Sequence, residues 1–265
     1  MSNKFDSFGS SYSFNKVNEK NPIVFIHGVG LTKEIWETQI NFFKDFNTLT
    51  YDLLGHGKTP LKKTKVSFED FSKQLNKLIN ELNLKKIHLI GFSLGALIAR
   101  NFAFENSEKL DSLVLLGSIY KRNENQIRDV KKRFETSKDN KPASKQAALR
   151  RWFSEDFIKK NPAVYKKIYS ILEKNNRKDF LKCYELFVNY VDDDAILKKI
   201  NVRTLISTGE NDAGSTPEMS KNLSKIIPNS KFVEIKGGKH LCSIECSNDV
   251  NILLKKFIEK DNDQT

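Results

Sequence analysis

Residues 86–104, K-I-H-L-I-G-F-S-L-G-A-L-I-A-R-N-F-A-F, decide the fold. Residues 86–93 form a short apolar run that closes on Gly-Phe-Ser, the pattern of a buried parallel strand. Residues 94–104 read as a buried helix. At the junction, Gly91-Phe92-Ser93-Leu94-Gly95 fits G-x-S-x-G, in the strand–turn–helix context where a sharp turn lifts a serine hydroxyl above the sheet edge. Side chains two residues to either side would collide with the neighbouring strand and helix, so both positions need to be small. The helix that follows aims its N-terminal N–H groups at the same point.

The same alternation extends outward. Residues 22–28, P-I-V-F-I-H-G, form another apolar run ending in Gly, and residues 33–44 carry Ile35, Trp36, Ile40 and Phe43 at near-helical spacing. Residues 48–55 make a strand closed by Gly55 and Gly57. Residues 67–82 open with Ser67 and Glu69–Asp70 and keep Phe68, Phe71, Leu75, Leu78, Ile79 and Leu82 on one helical face. On the far side, residues 110–118 are strand-like, and strand character returns at 203–209 and 231–235, each followed by a helix, at about 217–226 and 247–259. Strands alternating with helices imply βαβ crossovers and a mostly parallel sheet covered on both faces. Residues 121–199 interrupt the alternation. They are charged and helical in pattern, and read as a cap inserted over the sheet's C-terminal edge. The expected organisation is therefore a core of residues 1–120 and 200–265 with a helical cap of 121–199, on a sheet of eight-strand type, complete or short of one N-terminal strand.

Composition narrows the class. The chain has 265 residues, 38% apolar and 29% charged, enough to bury a sizeable core. No apolar run approaches the roughly 18 residues of a membrane span, and the opening M-S-N-K-F-D-S-F-G lacks the apolar centre of a secretory signal. Cys183, Cys242 and Cys246 are an odd, sparse set that makes no disulfide framework and fits a reducing cytoplasm. Cys242 and Cys246 lie near His240 but in no C-x-x-C pair, so they read as ordinary buried thiols and no metal is expected. The net charge is +12, and residues 121–199 hold 21 Lys and Arg against 12 Asp and Glu. That local excess suits anionic substrates or an acidic partner; a Lys-rich bias throughout the chain accounts for it equally. No nucleic-acid motif accompanies the charge.

A serine nucleophile needs a base, and the base an orienting carboxylate, in the chain order Ser, acid, His when the serine sits on such an elbow. His27 and His56 precede Ser93, and His88 lies inside a strand, where a satisfied structural histidine is expected. His240 follows the last strand in G-G-K-H-L and is the expected base. The acid should follow the penultimate strand, where Thr208-Gly209-Glu210-Asn211-Asp212-Ala213-Gly214 is turn-rich. Asp212 is the expected acid; Glu210, its local competitor, reads as a solvated or strand-end carboxylate. The oxyanion of a tetrahedral intermediate needs two donors. The backbone N–H of Leu94 is one, and that of Val29, in His27-Gly28-Val29-Gly30, is the other. His27 then braces its loop, and Asp52-Leu53-Leu54-Gly55-His56-Gly57 is a tight structural turn.

H-G-V-G, D-L-L-G-H-G, G-F-S-L-G, G-E-N-D and the late G-K-H stand in the order of the α/β-hydrolase superfamily, which the chain resembles over nearly its whole length. Ser93 resembles the serine branch; dehalogenase-like and epoxide-hydrolase-like members carry Asp at the elbow. The hydrolases of carbon–carbon bonds usually carry Trp after the catalytic His, where this chain has Leu241. H-G-V-G-L with Trp36 and Gln39, the segment 151–157 (R-W-F-S-E-D-F), and the run from Gly209 to Pro217 resemble 3-oxoadipate enol-lactonases. That resemblance implies cleavage of a small anionic ester or lactone without a cofactor, with Arg151 and Trp152 gripping the substrate. Alternatives are an amide or enamide hydrolase of small dicarboxylates, and a methyl esterase acting on acyl chains of an acidic carrier protein. In another class altogether stands a non-catalytic ligand-binding relative. No nucleic-acid or membrane partner is expected.

Overall fold

In the computed structural model, which describes residues 4–259, eight strands form one sheet: β1 (Lys4–Phe5), β2 (Ser11–Asn15), β3 (Ile23–Ile26), β4 (Thr48–Tyr51), β5 (Ile87–Phe92), β6 (Leu110–Leu116), β7 (Thr204–Gly209) and β8 (Ser230–Ile235). Their order is β1-β2-β4-β3-β5-β6-β7-β8. From β4 onward every pair is parallel, while β1 and β2 are antiparallel at one edge, with Tyr12 opposite Tyr51.

Alternation along the strands sends successive residues to opposite faces, and each face carries its own core. Val24, Ile26, Leu89, Leu113, Leu115 and Ile206 pack with Phe71 and Leu75 of α2 (Phe68–Glu81) and Leu97 of α3 (Leu94–Glu105). Ile23, Phe25, Ile90, Val114 and Leu205 pack on the other side with Trp36 and the last helix. Fully buried Trp36 lies 5.0 Å from Phe25, ring to ring. Residues 33–44 are a 3-10 turn, Lys33–Trp36, followed by the short α1 (Glu37–Phe42). In α2, Ser67 forms a capping box with Asp70.

Between β6 and β7 lie six helices: α4 (Glu124–Lys138), α5 (Pro142–Trp152), α6 (Glu155–Lys160), α7 (Pro162–Glu173), α8 (Arg177–Val188) and α9 (Asp194–Leu197). Asn123, Ser154 and Asn176 cap α4, α6 and α8, and Pro142 and Pro162 start α5 and α7, so each helix is locally specified. A buried arginine ties both ends of this segment to α3. Arg100 donates to Ile119 O (2.9 Å) and to Asp192 Oδ1 (2.5 Å), and Asp192 Oδ2 accepts from the Lys121 N–H (2.7 Å). α10 (Pro217–Leu223) follows β7, and α11 (Cys242–Glu245) and α12 (Ser247–Glu259) follow β8. No helix among the described residues is long and apolar enough to cross a membrane.

Candidate active site

Ser93 sits between β5 and α3 with φ 55° and ψ −114°, a left-handed conformation that a non-glycine residue adopts only under constraint. The neighbouring glycines make the turn possible. A Cβ on Gly91 would overlap Gly95 O, and one on Gly95 would overlap Ile26 O and stand 2.6 Å from His27 O. These are backbone atoms of packed elements and cannot yield.

The loops after β7 and β8 bring two more groups to this point. His240 Nε2 lies 3.2 Å from Ser93 Oγ, and His240 Nδ1 lies 2.6 Å from Asp212 Oδ2. With the ionised carboxylate at Nδ1, that nitrogen carries the ring proton and Nε2 presents its lone pair to the hydroxyl. Asp212 is 2% exposed, and its other oxygen, Oδ1, accepts from the N–H groups of Gly214 (2.8 Å) and Ser215 (3.0 Å). Burial pushes the Asp212 pKa up, but the attraction and hydrogen bond of His240 and these two N–H groups outweigh it, so the net shift is downward. The two loops are joined to each other, Asn211 N–H donating to Gly238 O (2.8 Å). The His240 loop is also tied to the inserted helices. Leu241 N–H donates to Trp152 O (3.1 Å), and the Glu245 carboxylate accepts from the N–H groups of Lys239 (2.9 Å) and Ser154 (2.8 Å). Glu210 lies apart, exposed, accepting from Gly237 N–H and Lys236 Nζ.

The loop after β3 closes the other side of Ser93. A Cβ on Gly28 would stand 3.2 Å from Ser93 Cβ, so the glycine brings Val29 close to the serine. Neither Val29 N–H nor Leu94 N–H donates to another described residue; Leu94, as the first residue of α3, has no partner within the helix. His27 braces the loop: one ring nitrogen accepts from Leu53 N–H (3.0 Å) and the other donates to Gly28 O (2.8 Å). Burial lowers its pKa to about 4, so the ring is neutral. The turn at Asp52 is held by the buried Lys33–Asp52 pair at 2.9 Å. His88 lies in β5 with its Nδ1 2.9 Å from Ser112 Oγ, a structural contact.

Ser93, His240, Gly28 and Val29 line a cavity of about 310 Å³, whose other wall comes from α4, α5, α7 and α8. Arg151 and Trp152 both line it, the Trp152 ring 6.4 Å from that of His240. Arg151 donates to Ala147 O in its own helix (3.1 Å). Sequence reasoning missed four further cations on this wall, Arg122, Arg133, Lys145 and Arg177. They lie in a segment charged on every helical face, with no local signal to separate cavity-facing positions from solvent-facing ones. No group of three or more His, Cys, Asp or Glu among the described residues could hold a metal ion.

An eight-stranded, mostly parallel sheet with a serine on a strained strand-to-helix turn defines the class, and the family model described as "alpha/beta hydrolase fold" matches residues 21–245. The chain belongs to this family. Among curated proteins it is similar to the (E)-2-((N-methylformamido)methylene)succinate hydrolase of Acinetobacter baylyi, 27% identical over 246 residues and covering 91% of each chain. It is also similar to 3-oxoadipate enol-lactonase 2 of the same organism, 22% identical over 240 residues and 89% of each chain. Among solved structures, the enol-lactonase of Burkholderia xenovorans LB400 superposes with a TM-score of 0.83 over 94% of this chain and 96% of that one. Its identity is 20%, so this is a likeness of fold.

Proposed function

We propose that the protein hydrolyses a small anionic carboxylic ester or lactone through an acyl-enzyme on Ser93, with residues 121–199 acting as the cap over the site. The observation that carries this reading is the hydrogen-bonded chain from Asp212 through His240 to Ser93, opening into a cavity walled by cations. Ser93 Oγ attacks the carbonyl carbon while its proton passes to His240 Nε2. The carbonyl oxygen becomes an oxyanion, held by the N–H groups of Val29 and Leu94. As the carbon–oxygen bond to the leaving group breaks, His240 returns the proton to that oxygen. Water then attacks the acyl-enzyme, giving its proton to His240, and Ser93 leaves with the proton as the acid is released. Asp212 holds His240 in the tautomer that both steps need. Arg151 pairs with a substrate carboxylate and Trp152 forms the wall beside it. No step calls for a metal or organic cofactor.

A second reading concerns the bond cleaved. The relative from Acinetobacter that is 27% identical is named for an N-acyl enamine of succinate, and the same nucleophile cleaves an enamide with an amine as leaving group. Both readings share the acyl-enzyme. An organophosphonate should label Ser93 stoichiometrically, and Ser93→Ala should lower kcat by at least ~10³ with the fold intact. Wild-type activity in Ser93→Ala would remove the serine from the reaction. Failure to label, with a small ligand still raising the Tm, would favour a non-catalytic binding protein. A substrate panel of enol-lactone, enamide and carrier-bound methyl ester separates the bond types. A lead for the carrier-bound ester would make the basic cap a docking surface for an acidic carrier protein.

A further inference from the structure

The charges on the cavity wall do not balance. Arg122, Arg133, Lys145, Arg151 and Arg177 line it, against Asp129 and the Asp212 already engaged by His240. None of the five cations has a carboxylate within ion-pair distance among the described residues. Arg122 is accounted for: both its terminal nitrogens donate to the carbonyls of Phe187 (2.8 Å) and Val188 (2.9 Å), closing the end of α8. The others are not. Arg133 lines the same cavity wall as Arg122 and Arg151, and its charge, after burial, helps to depress the pKa of both. Like charges held together in a partly enclosed space are unfavourable unless an anion joins them. Arg177, one turn before Phe180, has Nε and Nη2 out of contact with solvent and without an acceptor. Its guanidinium lies against the Phe180 ring, 5.4 Å away. This rotamer leaves two donors unmet, so turning toward an anion in the cavity gains hydrogen bonds and gives up none.

We propose that the cavity has two carboxylate subsites, one between Arg133 and Arg151 and one at Arg177, and that the natural substrate is a small dianionic acyl compound. This rests on the proposed acyl-enzyme chemistry for its meaning as a substrate site, but the binding of a dianion is independent of it. The two arginine groups come from α4 and α5 and from the start of α8, all lining the one cavity. Asn175, just before α8, donates to Gly30 O (2.7 Å), so the second subsite adjoins the loop that carries Val29. A dicarboxylate spanning them would bring its acyl carbon to Ser93 anchored at both ends, and a monocarboxylate could be held at one end only.

Calorimetric titration with succinate and with butyrate tests this without catalysis, in wild type and in Ser93→Ala. Succinate should bind at least tenfold more tightly than butyrate, and its binding should weaken as salt is raised. Arg133→Met and Arg177→Met should each reduce succinate affinity at least tenfold, and Arg133→Lys and Arg177→Lys should lose less. Equal affinity for succinate and butyrate in wild type would overturn the proposal, even if the Met variants fail to fold. So would Met variants that bind succinate as wild type does. If Ser93 fails to label while succinate binds as described, the acyl-enzyme reading falls and the two-carboxylate site stands.

Discussion

Replacing Asp212 by Asn tests the acid assignment with almost no change of shape. Oδ1 of Asp212 accepts two backbone N–H groups, from Gly214 and Ser215, at 2.8 and 3.0 Å. An amide in the same place must put its oxygen there, because its NH2 cannot accept. The NH2 then faces His240 Nδ1, where the carboxylate had accepted at 2.6 Å. A donor at that position forces the imidazole proton onto Nε2, which points at Ser93 Oγ 3.2 Å away. His240 then meets the serine as a donor and cannot take its proton. The expected loss in kcat is on the order of 10³ to 10⁴, or about 4 to 5 kcal/mol of transition-state stabilisation. Stability should fall far less. The two backbone bonds survive, and what is lost is the charge-assisted bond to His240, about 1 to 3 kcal/mol. Initial rates on a p-nitrophenyl ester and a thermal melt give both numbers. Glu210→Gln is the matched control: Glu210 is exposed and bonds Lys236 and Gly237 N–H, away from the site, so its kcat should stay within twofold. A loss below tenfold in Asp212→Asn, or an equal loss in Glu210→Gln, would refute the reasoning.

Gly95→Ala should lower both stability and kcat. Its Cβ meets backbone oxygens of Ile26 and His27, so relief requires moving β3 or the loop carrying Val29, at about 1–3 kcal/mol; unchanged kcat and Tm would mean that the elbow is looser than its geometry. Stability should also fall on acidification. Burial holds His27 at about 4 and His56 at about 3, whereas the unfolded chain protonates near 6.5, so the neutral rings favour the fold above pH 6.5 and that contribution is lost as pH falls toward 4 and 3. Between pH 7 and 5 this amounts to about 2 kcal/mol per histidine, readable from urea midpoints; a flat profile over that interval would contradict it.

Six of the eight strands were legible in the sequence because each is a short apolar run that stops at a glycine or polar turn. β1 and β2 were not. Lys4–Phe5 is two residues long and S-Y-S-F-N is half polar, and both pair at the antiparallel edge. β1 is the edge strand, and β2 beside it buries Ser11 and Ser13 where an inner strand usually carries apolar residues, so both patterns hardly differ from that of a polar loop. Residues 33–44 illustrate a related loss. Their apolar spacing is helical, yet Lys33 is drawn into the buried pair with Asp52, which a local pattern does not reveal, and the segment begins as a 3-10 turn.

The candidate site divides in the same way. Ser93, Asp212 and His240 could be placed on their loops because the requirements there are local: small residues around a strained turn, and turn-forming residues where a strand ends beneath the cavity. Chain order then left one histidine and one favoured acid. Arg133 and Arg177 obey no such rule. Whether an arginine on a charged helix faces the cavity or the solvent depends on how that helix is rotated against its neighbours. That rotation is set by contacts distant in sequence, such as Phe134 against Tyr184 between α4 and α8. The +9 excess of residues 121–199 was visible as a sum, but a sum does not separate a solvated surface from a binding wall. What separates them is enclosure. Exposed Lys131, Lys132, Lys159 and Lys166 meet no carboxylate among the described residues but face water, whereas Arg133, Lys145 and Arg177 are half-buried and line the cavity. A Lys-rich bias supplies surface charge that finds partners or water. It gives no reason for arginines to converge, unpaired, on the space above one serine.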